Sequence, residues 1–228
     1  MSDNFSARRS FLAGIGAAFT GVGLAAGRAD AQTRPAPAAF KPARHKDDEW
    51  LAQIPGKHRI VIDAVMPNSA GAAILYAANL LNTNKSAYGG ADQDLAIVVV
   101  MRHFATPFAF NDALWSKYSK ALGAMLDVKD PKTKQAPDKN IYNYDYALEA
   151  TNLGNTIASV TDRGVVLAIC DLATHFGASG VAPMVGSTPD AVYNDFKANT
   201  LPHSRFVSAG VNAVTRAQEV GYTLIYAG

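Results

Sequence analysis

The run Leu95-Ala96-Ile97-Val98-Val99-Val100-Met101 constrains the fold of this chain more than any other segment. Seven consecutive apolar residues, most of them aliphatic and several β-branched, leave no face for water. A strand of that composition has to be covered on both sides, which is the position of an interior strand in a parallel sheet. Four further strand-like runs accompany it, at 60–66, 164–170, 205–208 and 222–226. Helical patterns lie between them. Residues 69–82 present Ser69 as an N-cap and Ala72, Ala73, Leu75, Tyr76, Leu80 and Leu81 as apolar faces. Helices are also predicted over 111–125, 152–162, 171–179, 189–198 and 210–220, the last stopped by Gly221. Residues 180–184 read as a loop. Strands alternating with helices predict an α/β fold, a three-layer αβα arrangement around a mainly parallel five-stranded sheet. Residues 127–146 hold many lysines and aspartates and two prolines, and read as an inserted loop.

The N-terminus is a targeting pattern rather than part of that alternation. Ala7-Arg8-Arg9-Ser10-Phe11-Leu12 opens an apolar stretch over 11–26 that is interrupted by Gly14, Gly16, Gly21 and Gly23. The stretch falls short of the roughly 20 residues of a membrane-spanning helix, and its glycines weaken any helix. Paired arginines before Ser-Phe-Leu resemble a twin-arginine export signal, with Ala7 where a serine is usual. Ala29-Asp30-Ala31 suits a small-x-small cleavage site, so residues 1–31 are expected to be a signal peptide handled by the twin-arginine translocase, with the rest delivered to the periplasm. No stable membrane anchor is expected. The segment carries three of the 21 cationic and two of the 19 acidic side chains, so removing it leaves 197 residues with a net charge of +1. That near-neutral balance offers no basic field for nucleic acid. Residues 32–56, with Pro35, Pro37 and Pro42, read as a linker in which Trp50, Leu51 and Ile54 begin a short capping helix, and 57–228 as one domain.

In an open parallel α/β sheet, ligands bind beyond the carboxyl ends of the strands. Those ends are marked here by Asn68 and Ser69, by Arg102 and His103, by Cys170 and Asp171, and by Ser208 and Gly210. Cys170 is the only cysteine, so it has no internal disulfide partner. At the junction of a strand and a helix, its sulfur would meet the positive end of the helix dipole, while Asp171 opposes a second negative charge. A buried cysteine packing as a small hydrophobe is the competing reading. His103 is placed for a base or a donor. Arg102 is a site cation, a plain surface cation or the partner of Asp112. Asn68, Ser69, Asp171 and Ser208 complete the rim as candidate ligand contacts.

Other chemistries find less support. His103, Cys170 and His175, with Asp171, could offer metal ligands, but Cys-x4-His is not a structural zinc spacing, and no metal or cofactor is expected. Pro67-Asn68-Ser69-Ala70-Gly71 lacks the phosphate-binding glycine patterns and reads as a turn with an N-cap. No G-x-S-x-G elbow is present. Tyr142, Tyr144 and Tyr146 alternate as one face of a strand would, suited to a subunit contact or to the mouth of a site, while ordinary packing of a long loop is an equal reading.

The segment 165–170, its following helix and the run Phe206-Val207-Ser208-Ala209-Gly210-Val211-Asn212-Ala213-Val214-Thr215-Arg216-Ala217-Gln218-Glu219-Val220-Gly221-Tyr222 resemble the DsrE/DsrF-like family. Arg102-His103-Phe104, Asn111-Asp112 and Trp115-x-x-Tyr118 resemble an exported branch of it whose activity is generally unassigned. The resemblance spans about 58–228 and implies a small αβα homo-oligomer. In its active members a cysteine at the end of the central strand accepts sulfur as a persulfide, and Cys170 matches that position. It implies a small sulfur compound or a sulfur-donor protein as partner. The sulfur-relay members are cytoplasmic, whereas this chain carries an export signal and the 127–146 insertion. Two functions are therefore expected of the rim: a sulfur carrier acting through Cys170, His103 and Arg102, or a non-catalytic binding or assembly module in which Cys170 is packing.

Overall fold

The computed structural model describes residues 40–228, and the signal-like segment 1–31 lies outside them. The compact unit runs from Pro42 to Gly228. It includes the short capping helix expected around Trp50: α1 (Glu49–Gln53) buries Trp50 and Leu51 against the sheet. Tyr222 donates its hydroxyl to Leu51 O at 2.9 Å, and Arg59 Nη1 donates to the same oxygen at 2.9 Å. These bonds satisfy a carbonyl at the end of a helix too short to be stable alone.

Five parallel strands form the sheet, in the order β4-β3-β2-β1-β5. They are β1 (His58–Ala64), β2 (Leu95–Met101), β3 (Val166–Cys170), β4 (Ser204–Val207) and β5 (Thr223–Tyr226). Parallel pairing over β1 and β2 is continuous from His58↔Leu95 to Ala64↔Met101. β2 lies mid-sheet, as its unbroken apolarity requires. Its period-2 alternation divides it between two cores: Ile97, Val99 and Met101 pack on one face, and Ala96, Val98 and Val100 on the other.

The order of connections decides which helix covers which face. From β1 to β4 the chain steps in one direction across the sheet. Right-handed crossovers therefore place α2 (Pro67–Tyr88), α3 (Asp112–Leu126), α5 (Asp171–Met184) and α6 (Pro189–Ala198) on the same side. A short α4 (Ile157–Thr161) packs beside α2. From β4 the chain returns past all the others to β5, so α7 (Gly210–Glu219) lands on the opposite face, next to α1. Among the described residues, no helix is long and apolar enough to cross a membrane.

Two local expectations fail for identifiable reasons. α2 continues six residues past 82, to Tyr88, because its stop is Gly89 at φ 63°, whose N–H bonds Lys85 O. The loop expected at 180–184 is the last turn of α5, since the completely buried Val181 and Ala182 dock it and outweigh the poor propensity of Gly180 and Pro183. The tyrosines of the insertion follow the loop-packing reading rather than the strand-face one. Tyr142 sits in a 3-10 turn at Ile141–Asn143, Tyr144 follows that turn, and Tyr146 precedes the turn at Ala147–Glu149; their hydroxyls pin the insertion in place. Tyr142 donates to Pro67 O at 3.0 Å, Tyr144 donates to Asp112, and Tyr146 donates to Asp130.

Asp130 is nearly buried, and its carboxylate holds the turn that follows it. Oδ1 accepts from the backbone of Lys132 (2.9 Å) and Thr133 (2.8 Å). Burial pushes its pKa up, but the Tyr146 hydroxyl and these N–H groups together bring it below the ordinary value. A depressed folded-state pKa contributes stability that is present above about pH 4, the unfolded value, and is lost as pH falls through the folded one. Urea unfolding between pH 6 and 2.5, roughly, is expected to show stability declining below about pH 4. Tyr146→Phe is expected to flatten that decline; an unchanged acid profile would remove Asp130 from the account.

Candidate functional site

The connections locate the crevice of this sheet. β3 sends its chain into α5 on one face, while its neighbour β4 sends its chain into α7 on the other. Adjacent strands whose following helices diverge leave a gap at their carboxyl ends, the topological switch point where ligands of open α/β sheets bind. A depression of about 490 Å³ lies there, lined by Arg102, His103, Cys170, Ala173, Phe176 and Gly210 among others.

Cys170 ends β3 and is the N-cap of α5, with φ −69° and ψ 109°. Its Sγ accepts the N–H of Ala173 at 3.4 Å, and its carbonyl accepts the Thr174 hydroxyl at 2.9 Å. The sulfur therefore stands where a capping oxygen usually stands, with one otherwise unpaired N–H of the first helical turn, that of Ala173, aimed at it. The residue is only 5% exposed, so any reaction at sulfur takes place through the depression.

Arg102 follows the end of β2, beside Cys170, since Met101 pairs with Ile169. Its partner is Asp63 of β1, not Asp112. Nε donates to Oδ1 at 2.7 Å and Nη2 to Oδ2 at 2.9 Å, a bidentate fork. Asp112 is engaged instead by the backbone N–H of Asn140 and by Tyr144. The fork raises the Arg102 pKa above its ordinary value against the opposite pull of burial, and Cys170 adds a smaller contribution. Gly210, the first residue of α7, lets this arrangement close: a Cβ there would lie 2.5 Å from Arg102 Cβ. Nη1 has no hydrogen-bond partner among the described residues.

His103 opens a 3-10 segment, His103–Ala109, at φ 52°, a left-handed conformation uncommon for a side-chain-bearing residue. Its exposed ring lies 4.1 Å from that of Phe104 and lines the depression. The segment is anchored from behind by Trp115, which donates to Pro107 O at 3.0 Å, and by Asn140, which donates to Phe108 O and Phe110 O.

The remaining candidates are placed elsewhere. Asn68 is exposed and lines a separate depression with Lys129, Asp130 and Thr151. Ser69 is buried and spent on its own turn, accepting from Val65 and Met66 N–H at 2.9 and 2.6 Å and donating to Met66 O at 2.7 Å. That turn is the structural role the sequence suggests for 67–71. Asp171 turns toward α6: Oδ1 accepts the Tyr193 hydroxyl at 2.8 Å and lies 3.6 Å from Lys197 Nζ. Burial, then this bond to the carboxylate, pushes the Tyr193 pKa up to about 12. Lys197 thus supplies the cation beside Asp171. Ser208 is exposed at the rim, and its carbonyl accepts the Leu172 N–H at 3.2 Å, tying β4 to the start of α5. His175 lines the depression while its ring stacks on Tyr193 at 3.7 Å. Among the described residues, no three His, Cys, Asp or Glu side chains are grouped to hold a metal ion.

Asp63 was hidden in plain view. It is the one charge inside the apolar run 60–66, and a charge in a buried strand requires a partner. The identity of that partner, 39 residues away, has no local signal. No family model, curated protein or solved structure matches the chain.

Proposed function

We propose that this chain is an exported, DsrE-like sulfur carrier in which Cys170 holds a persulfide. The observation that supports it most is the position of the sulfur. Cys170 caps α5 at the switch-point crevice, with a backbone N–H on Sγ and the Arg102 guanidinium beside it. A terminal persulfide sulfur is an anion that needs donors without a bulky cage. The Ala173 N–H and Arg102 Nη1 are such donors, and preorganised donors of this kind stabilise developing charge efficiently. His103, at the mouth, is the group to take the thiol proton as sulfur attacks. Export by the twin-arginine route, a periplasmic location and assembly with further copies belong to the same reading, carried by Arg8-Arg9-Ser10-Phe11-Leu12 and by the resemblance over 58–228. The donor is then a small sulfur compound or a sulfur-carrying protein.

A second reading keeps the crevice and drops the chemistry: a binding or assembly module with Cys170 as packing. The slight exposure of Cys170 and the exposed Leu172, Phe176 and Val211 around the mouth favour it. Intact mass after treatment with a persulfide donor separates the two. The expected result is an increase of one sulfur atom in the wild type that is absent in Cys170→Ser. No adduct, under conditions that load an accessible control thiol, would sink the sulfur reading in favour of the second.

A further inference from the structure

The depression that holds Cys170 has a chemical character beyond its sulfur. Leu172 and Phe176 stand one turn apart on α5, and Val211 faces them from the start of α7; they are 66%, 60% and 55% exposed. Ala173 and Ala209 extend the same surface. Large apolar groups exposed together around a concavity mark a binding surface rather than ordinary solvent contact. The charges nearby are already matched. The guanidinium of Arg102 is forked onto Asp63, and Lys197 is set against Asp171. His175 lies with one ring face on Tyr193 and Nε2 3.8 Å from Asp171. An anionic inorganic donor such as thiosulfate or a polysulfide would find the Ala173 N–H and Arg102 Nη1 at the sulfur, but no lysine or second arginine in the lining to hold the rest of it.

We infer that the sulfur donor at this site is an organic persulfide with an uncharged, apolar group, which packs on Leu172, Phe176 and Val211 while its outer sulfur reaches Cys170. This rests on the sulfur-carrying reading above. The step is a sulfur transfer without net oxidation. Sγ of Cys170, having given up its proton, attacks the outer sulfur of R–S–SH. The new Sγ–S bond forms as the S–S bond to the organic group breaks, and its electron pair leaves on R–S⁻. The proton lost by Cys170 ends on that thiolate, so the products are Cys170 persulfide and R–SH. A cavity of about 490 Å³ is within the range of small-molecule sites.

The test is the rate of sulfur loading on the full chain, read by intact mass, with benzyl hydropersulfide and with glutathione hydropersulfide. Each rate is divided by the rate of the same donor with free cysteine, which removes intrinsic reactivity. The benzyl donor is expected to be faster by about tenfold or more, the gain from packing one aromatic ring. Phe176→Ser is expected to lower that ratio at least about threefold. Equal normalised rates, or a faster glutathione donor, would overturn the apolar-donor inference while leaving Cys170 as a sulfur carrier. Loading of Cys170 by neither donor would overturn the sulfur-carrier reading itself, and this inference with it.

Discussion

Arg102→Met is expected to destabilise the fold by about 3 kcal/mol or slightly more, near the lower end of the cost of breaking a buried ion pair. The loss is not that of an attraction alone. Asp63 is 6% exposed on an interior strand, and its two oxygens lean on the two nitrogens of the Arg102 fork. Without the guanidinium, a carboxylate is left in the sheet beneath α7 with no partner of comparable strength. Arg102 retains about a quarter of its side-chain exposure, so some water can reach the pair, which keeps the figure at the lower end. The check is a urea unfolding series with a double mutant. Asp63→Leu combined with Arg102→Met removes both charges, and the pair should recover most of the stability lost in the single variant. A double variant as unstable as Arg102→Met would mean that the arginine acts through packing on Gly210 rather than through Asp63. Arg102→Lys is not a conservative control here, because an ammonium cannot reproduce a bidentate fork.

Asn140→Ala should cost about as much, roughly 3 to 5 kcal/mol, since it leaves three buried backbone groups without partners at about 1 to 3 kcal/mol each, offset in part by relaxation. The side chain is wholly buried. Its amide donates to Phe108 O at 2.8 Å and Phe110 O at 2.9 Å, and its carbonyl accepts the N–H of Tyr142 at 3.2 Å. One residue of the insertion thereby satisfies the far end of the 3-10 segment that begins at His103. Asn140→Asp sharpens the measurement. It keeps the size but puts a carboxylate against two carbonyl oxygens, so it should be at least as destabilising as alanine. Thermal or urea unfolding reads both. A loss under about 1 kcal/mol in either variant would show that the insertion is not tied to the domain through this side chain.

These two sites mark the boundary between what a linear reading reaches and what it does not. β2 was legible to the residue, since an unbroken apolar run has one stable home, the middle of a doubly covered sheet. Helix α6 was equally plain over 189–198, since a proline at the first position is local chemistry, and the structure adds Thr188 as its N-cap. The crevice was legible only as a list of strand ends. Arg102, His103 and Cys170 do share it, while Asn68 faces another depression, Ser69 is consumed by its own turn and Asp171 looks toward α6. The tyrosines of the insertion left strand face and loop packing open, because a period of two is shared by strands and by irregular segments whose side chains find separate partners.

The sequence by itself determined the α/β class, the five strands, the helices between them and the position of one thiol at a strand–helix junction. Each follows from periodicity, capping and apolar content within a dozen or so neighbouring residues. Only the tertiary structure decided that β5 returns to the far edge, that α7 therefore crosses to the opposite face, and that the gap opens between β3 and β4 beside Cys170. It also decided that Arg102 is held by Asp63 and seated on Gly210. These are contacts between residues far apart in the chain. Their energies depend on strand order and burial, and no local pattern of side chains encodes either.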